Sequence, residues 1–151
     1  MDLEQKLSEM GLELPAVPAP IAAYVPAVVD RGAVRTSGQL PLKDGELLSE
    51  GLCGTLAVTP ERAYDAAARC ALNAVAAAAD VAGGLNKLKR VIKVVGFVAS
   101  TDDFFAQPQV INGASDFLSE LFGSPHARSA VGVAALPLNA TVEVEVEFEL
   151  A

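Results

Sequence analysis

Residues 126–150 read HARSAVGVAALPLNATVEVEVEFEL, and the last part of this stretch alternates strictly between apolar and acidic side chains. A two-residue period is that of a β-strand, so we predict a strand over residues 141–150 with apolar side chains on one face and glutamates on the other. The small and β-branched residues 128–135 predict another strand. A turn near Pro137 favours a hairpin that places residues 128–135 alongside residues 141–148.

One arginine stands in this stretch. Arg128 is the only arginine after Arg90, and its strand leads toward a row of carboxylates. Its planar guanidinium carries five donors, which suits two-point binding of a carboxylate. The residues alone leave two interpretations open: a salt bridge to one of the glutamates, or the binding of a small acid. Glu143 begins its strand and is closest to the turn, whereas we expect the other three glutamates to face solvent.

The rest of the chain predicts two long helices and further strands. Thr59-Pro-Glu-Arg62 is typical of a helix start, with a threonine cap and proline at the first helical position. We expect this helix to end near Ala82, before Gly83-Gly84, and a second helix to span residues 108–122. Further strands are predicted at residues 24–29, 33–37 and 88–98. This order predicts an α+β fold, a mixed sheet with both helices on one face.

The N-terminal segment predicts a separate small element. Residues 2–11 have the pattern of a short amphipathic helix, with Asp2 as its cap and Gly11 at its end. The proline-rich segment of residues 15–20 predicts an extended connector. We therefore expect an N-terminal helix and connector over residues 1–19 and a main domain over residues 20–151.

Composition and charge exclude several classes of protein. The formal net charge is −8 and the isoelectric point near 4.5, which argues against a nucleic-acid partner because phosphate binding requires clustered lysine and arginine. The most apolar run, residues 70–82, is interrupted by polar side chains and is too short to span a bilayer. The N-terminus lacks the pattern of a signal peptide. We expect a cytoplasmic protein without a membrane partner.

Several kinds of catalytic or binding site are also disfavoured. The two cysteines, Cys53 and Cys70, have neither metal-ligand nor redox spacing. His126 is the only histidine, and one histidine without a spaced partner predicts neither a catalytic triad nor a metal site. We expect no metal, and a solvated loop position for His126.

Three blocks of sequence, in order and suitably spaced, carry a family resemblance. They are Thr36-Ser-Gly-Gln-Leu-Pro41, then Ala71-Leu-Asn-Ala-Val-Ala76 followed by Val91-Ile-Lys-Val-Val95, and lastly residues 127–137 with Val142-Glu-Val-Glu145. Over roughly residues 20–150 the chain thus resembles the RidA (YjgF) family of small trimeric enamine/imine deaminases.

This resemblance implies a chorismate-mutase-like α+β fold and a homotrimer with three clefts between neighbouring subunits. It also implies a reaction without a cofactor, the hydrolysis of 2-imino acids to 2-keto acids with release of ammonia. In the family pattern Arg128 binds the substrate carboxylate, Glu143 helps hold the attacking water and Gly38 offers backbone contacts. The polar residues that line the cleft would be Tyr24, Ser37 and Asn112.

Two features set this chain apart within the family pattern. The deaminase branch commonly has a cysteine in its substrate-binding cleft two residues after the arginine, and here that position is Ala130. The N-terminal helix and proline-rich connector belong to a side branch. Two alternatives to a deaminase therefore stand: a non-catalytic trimer that binds small carboxylates such as 2-keto acids, and an endoribonuclease or translation inhibitor, which the acidic charge disfavours.

Overall fold

The computed structural model describes residues 2–17 and 23–151, and a five-stranded mixed sheet forms its centre. In chain order the elements are α1 (Leu3–Glu9), β1 (Ala27–Asp30), β2 (Ala33–Thr36), β3 (Leu42–Lys43), β4 (Glu46–Leu47), α2 (Pro60–Ala82), β5 (Leu88–Ala99), α3 (Gln107–Phe122), β6 (Ala127–Val133) and β7 (Val142–Leu150). Short 3₁₀ turns occupy Leu85–Lys87 and Pro137–Asn139. The predicted helices and strands are confirmed to within a few residues at their ends. The predicted connector of residues 15–20 is described only to residue 17, and the expected start of the main domain near residue 20 lies outside the described residues.

The order of strands in the sheet is β1-β2-β7-β5-β6, which contradicts the predicted hairpin between residues 128–135 and 141–148. β7 lies between β2 and β5 and is antiparallel to both, whereas β6 forms an edge and runs parallel to β5. The reason is the crossover through α3, which returns the chain to the starting end of β5 and so permits parallel pairing. The turn at Pro137–Asn139 then carries the chain past β5 to its other side.

Both long helices pack on one face of the sheet, as predicted. α2 lies against β7 and α3 against β5, and the two helices contact each other along their lengths. The side chains of β7 that face them are buried: Val142, Val144, Val146 and Phe148. The buried side of α2 consists mostly of alanine, which lets the helix lie close to the sheet. Within the part of the chain that the structure describes, no helix has the length and apolarity needed to cross a membrane.

The ends of α2 follow the predicted signals. The Thr59 hydroxyl accepts a hydrogen bond from the Arg62 amide at 3.2 Å, and Pro60 occupies the first helical position. Gly83 ends the helix with a φ of 94°, a left-handed conformation that glycine adopts without steric cost. Local sequence therefore sets both ends of the longest helix.

The N-terminal helix packs at the C-terminal end of α3. Asp2 caps α1 by accepting from the Gln5 amide at 3.0 Å, and the Leu3 amide donates to Asn86 Oδ1 at 2.8 Å. Leu7 is buried in the main hydrophobic core, and a shallow groove separates the start of α1 from the last turn of α3. The helix is thus held by both a polar and an apolar contact.

A glycine sets the distance between the two long helices. Gly113 of α3 faces the backbone of Tyr64 in α2, where an added β-carbon would come within 2.8 Å of the carbonyl carbon and closer still to its oxygen. Backbone atoms cannot rotate away as a side chain can. A side chain at this position would therefore push the helices apart.

We expect Gly113→Ala to lower the free energy of unfolding by at least about 2 kcal/mol, because overpacking against backbone outweighs the better helix propensity of alanine. Gly32→Ala is the matched control, since a β-carbon there meets nothing within 4 Å, and it should change stability by less than about 0.5 kcal/mol. Urea unfolding of both variants measures the difference. Equal stability of the two variants would contradict this account of the helix contact.

Candidate functional site

The predicted site residues fall into two groups on opposite faces of the sheet. Arg128 pairs with Val94 in the β5–β6 ladder, and Glu143 pairs with Phe97 in the β5–β7 ladder. Paired residues point to the same side of a sheet, and successive residues alternate. Because Val94 is buried beneath the helices, Arg128 and Ala130 lie on the helix-covered face. Glu143 lies on the face that carries no helix, which we call the open face.

Three hydrogen bonds hold the Arg128 guanidinium at the edge of the helix-covered face. Its Nη1 donates to Asn112 Oδ1 at 2.8 Å and to Ser115 Oγ at 3.2 Å, and its Nη2 donates to the Pro108 carbonyl at 3.2 Å. Of the five donors of a guanidinium, Nε–H and one Nη2–H have no partner among the described residues. These lie on neighbouring nitrogens, the arrangement that binds both oxygens of a carboxylate.

The surroundings of Arg128 contradict one of its two interpretations, the salt bridge to a glutamate of β7. Among the described residues, no carboxylate oxygen lies within 4.0 Å of its nitrogens, so the salt bridge to a glutamate of the same chain is absent. Asn112, predicted to line the cleft, accepts a hydrogen bond from the arginine. Ala130 follows on the same face and packs against the core. The half-buried cation is thus positioned by neutral groups.

Sequence reasoning missed the role of Ser115 and the position of His126. His126 Nε2 lies 3.0 Å from Ser115 Oγ, and the ring is half-buried where a solvated loop residue was expected. Burial lowers the pKa of His126 below its usual 6.5, and the nearby Arg128 charge lowers it further. Helical spacing could have found Ser115, because it shares one face of α3 with Asn112 and Pro108.

Glu143 and Gly38 approach each other closely on the open face. A β-carbon at Gly38 would come within 2.7 Å of the Glu143 carboxyl carbon, so the absence of a side chain here makes room for the carboxylate. Burial raises the pKa of Glu143 above its usual 4.5, and the neighbouring Glu145 contributes to the rise. From the sequence we predicted only that Glu143 and Gly38 line the same cleft, and not that they contact each other.

Ser37 precedes Gly38 in the chain, and its hydrogen bonds link it to the segment that follows Tyr24. The Ser37 hydroxyl donates to the Val25 carbonyl at 2.6 Å, and its amide donates to the Pro26 carbonyl at 2.8 Å, which joins the end of β2 to the segment before β1. Tyr24, next to Val25, has 63% of its surface exposed. Ser37 is therefore engaged with backbone, whereas Tyr24 is available to a ligand or a second subunit.

The remaining glutamates of β7 differ from the prediction that they face solvent. All three are partly buried. Glu147 lies 3.6 Å from Arg35 Nε, and Glu149 forms ion pairs with Arg90 and Lys89. Cross-strand pairing explains these contacts, because basic residues of β2 and β5 stand on the same face as the glutamates.

The described residues do not favour a metal site or a cysteine nucleophile. Across residues 2–17 and 23–151, no cluster of three or more His, Cys, Asp or Glu side chains could hold a metal ion. Burial raises the pKa of the Cys53 thiol to about 11 and that of Cys70 well above its ordinary value. Neither thiol is therefore activated as a nucleophile.

The chain is similar to known proteins over nearly its whole length. Residues 4–150 match the family described as "YjgF/chorismate mutase-like, putative endoribonuclease". Protein TCP17 of Trypanosoma cruzi is 43% identical over 95% of this chain and 91% of its own length. A 2-iminobutanoate/2-iminopropanoate deaminase of Dermatophagoides farinae is 32% identical over 89% of this chain and 91% of its own.

The fold also matches a solved structure from Shewanella oneidensis that is described as a "putative endoribonuclease". The two superpose with a TM-score of 0.93 at 32% identity, covering 99% of this chain and 100% of the other. Because the superposition covers 99% of this chain, it extends over the N-terminal helix.

We predict that Glu143→Gln raises the stability of the protein at neutral pH. A carboxyl whose pKa is raised on folding favours the fold only while it is protonated, so its contribution is present below pH 4.5 and is lost as pH rises through the folded-state pKa. For a half-exposed group, solvent screening limits the gain at pH 7 to under about 1 kcal/mol. Thermal unfolding at pH 7 and pH 4 measures it. An equal effect from Glu46→Gln, on the exposed β4, would contradict it.

Proposed function

The chain belongs to the YjgF/RidA family, and on that premise we propose that it hydrolyses 2-imino acids and their enamine tautomers to 2-keto acids and ammonia. The observation that carries this proposal is the Arg128 guanidinium, which neutral groups hold with three hydrogen bonds and which keeps two adjacent donors. A small 2-imino acid presents one carboxylate next to the reactive carbon. The guanidinium would bind that carboxylate at two points.

The active site of this proposal lies between subunits. Arg128 and Asn112 stand on the helix-covered face at the β6 edge, whereas Glu143 stands on the open face with Gly38 against its carboxylate. One copy of the sheet separates the two groups, so a second copy would have to bring its open face to the first copy's Arg128. A homotrimer built by one repeated contact would contain three such clefts.

In this cleft, the positioning of substrate and water would supply most of the rate enhancement. The carbon of an imine is already electrophilic, so the reaction needs a water aimed at that carbon and does not need a cofactor. Glu143 would take a proton as the water adds, and its raised pKa suits a general base at neutral pH. That proton passes to the imine nitrogen and gives a carbinolamine. The proton of the new hydroxyl then moves to nitrogen as well, the C–N bond breaks, and a keto group and ammonia result. One water is consumed for each ammonia released.

Arg128→Ala should lower kcat/KM for freshly generated 2-iminobutanoate by about a hundredfold, since a two-point charged hydrogen bond is lost. Arg62→Ala is the matched control, because Arg62 is exposed and bonds the Leu48 carbonyl on another part of the surface. Ammonia release, followed against the spontaneous hydrolysis in buffer, is the measurement. Wild-type release no faster than buffer would refute the deaminase.

Mixing two inactive variants tests the location of the site. Arg128→Ala and Glu143→Gln damage opposite halves of the proposed cleft. Every trimer that contains both variants has one intact cleft out of three, in which each half comes from an undamaged subunit, and this gives about a third of wild-type activity. Coexpression with two affinity tags and double purification yields the mixed trimers. If both halves worked within one subunit, no activity would return.

Non-catalytic binding of small carboxylates is the second candidate, and Ala130 favours it. The position holds a methyl group where the deaminase branch commonly has a thiol. Such a protein would use the same Arg128 donors and bind 2-keto acids without turnover of imines. Calorimetry with 2-oxobutanoate, beside the ammonia assay, separates the two functions. RNA cleavage, suggested by the names of relatives, is opposed by the net charge of −8.

A further inference from the structure

Three polar side chains contact one another in series: Arg128, Ser115 and His126. Arg128 Nη1 donates to Ser115 Oγ at 3.2 Å, and Ser115 Oγ lies 3.0 Å from His126 Nε2. The other ring nitrogen, Nδ1, is buried and has no hydrogen-bond partner among the described residues. Within residues 2–17 and 23–151, the contact with Ser115 is therefore the one polar contact that orients the His126 ring.

The direction of these hydrogen bonds follows from the chemistry of the three groups. A guanidinium only donates, so Ser115 must accept from Arg128. The serine hydroxyl has one proton of its own, and the nearest acceptor for it is the lone pair of a neutral imidazole. A ring flanked by Arg128 and half removed from water is neutral at pH 7. Arg128 then donates to Ser115, and Ser115 donates to His126. Because the two hydrogen bonds point in the same direction, each polarises and strengthens the other.

We propose that Ser115 and His126 are positioning residues that set the orientation of the Arg128 guanidinium for the substrate carboxylate. Asn112 and Ser115 both accept from Nη1. With Nη1 and Nη2 both bonded to groups of α3, the plane of the guanidinium is fixed, and its Nε–H and second Nη2–H have no partner among the described residues. His126 acts through Ser115. Its ring accepts the proton of the Ser115 hydroxyl, so the lone pairs of the serine oxygen are free to accept from Arg128. The inference rests on the proposed function for its substrate, but its geometry exists in the free protein.

The first experiment separates positioning from chemistry by steady-state ammonia release from 2-iminobutanoate. Ser115→Ala should raise KM about tenfold with a smaller fall in kcat, because the carboxylate clamp loses its orientation. Ser115→Thr keeps the hydroxyl and should restore KM to within about threefold of wild type. Ser119→Ala is the control, an exposed serine on the following turn of the same helix.

Variants of His126 complete the comparison. His126→Gln places an amide oxygen near the position of Nε2 and should keep the low KM. His126→Leu fills the same space without an acceptor and should raise KM in the same direction as Ser115→Ala. In the double variant of Ser115→Ala and His126→Leu, KM should rise no further than in Ser115→Ala alone, since both changes break one chain.

The second experiment needs no substrate. Because His126 is the only histidine, its two ring nitrogens give unambiguous signals in a ¹⁵N NMR spectrum. At pH 7.5 we expect a proton on Nδ1 and a hydrogen-bonded lone pair on Nε2. The Arg128 Nε–H signal, identified by its loss in Arg128→Lys, should exchange with solvent faster in Ser115→Ala than in wild type.

The outcomes are distinguishable from those of the deaminase proposal. Wild-type protein that releases no ammonia refutes the deaminase, and the NMR comparison still decides the positioning role. A proton on Nε2, or an Arg128 signal unchanged by Ser115→Ala, overturns the positioning role. So does a wild-type KM in Ser115→Ala when the activity itself depends on Arg128.

Discussion

In β7, successive side chains point to opposite faces of the sheet, and the rest of the structure depends on that alternation. The strand lies between β2 and β5, so its apolar side chains are buried beneath α2 and α3 while its glutamates line the open face. A shift of one residue would bury four carboxylates. The same alternation places Glu143 on the opposite side of the sheet from Arg128, and this separation is the basis for proposing a cleft between subunits.

The candidate site is built from groups that cost the isolated chain some stability. Burial beside Glu145 disfavours the ionised form of Glu143, and Gly38 gives up side-chain contacts to make room for it. Arg128 is half-buried without a countercharge among the described residues, and it is balanced only by neutral acceptors. An anionic ligand would supply the missing charge. Proteins commonly hold such unfavourable groups where a ligand binds.

The pairing of strands shows where local sequence is insufficient. The segment around Pro137 has the residues of a turn, and a turn was found there, yet the strands on either side do not pair with each other. Both compete for the edges of β5, the longest strand, and each takes a different edge. The roles of Ser115 and His126 escaped prediction for a related reason. Their contact joins α3 to the start of β6, and no periodicity within one element reveals a contact between two.

The sequence by itself determined which segments are helix and strand, where α2 begins and ends, and which face of β7 is apolar. These depend on caps, prolines, glycines and side-chain periods, all of which act over a few residues. Only the tertiary structure decided the order of strands, the close approach of Gly113 to α2 and the partners of Arg128. These contacts join residues far apart in the chain, so they depend on how whole elements pack and on which edges of β5 remain free.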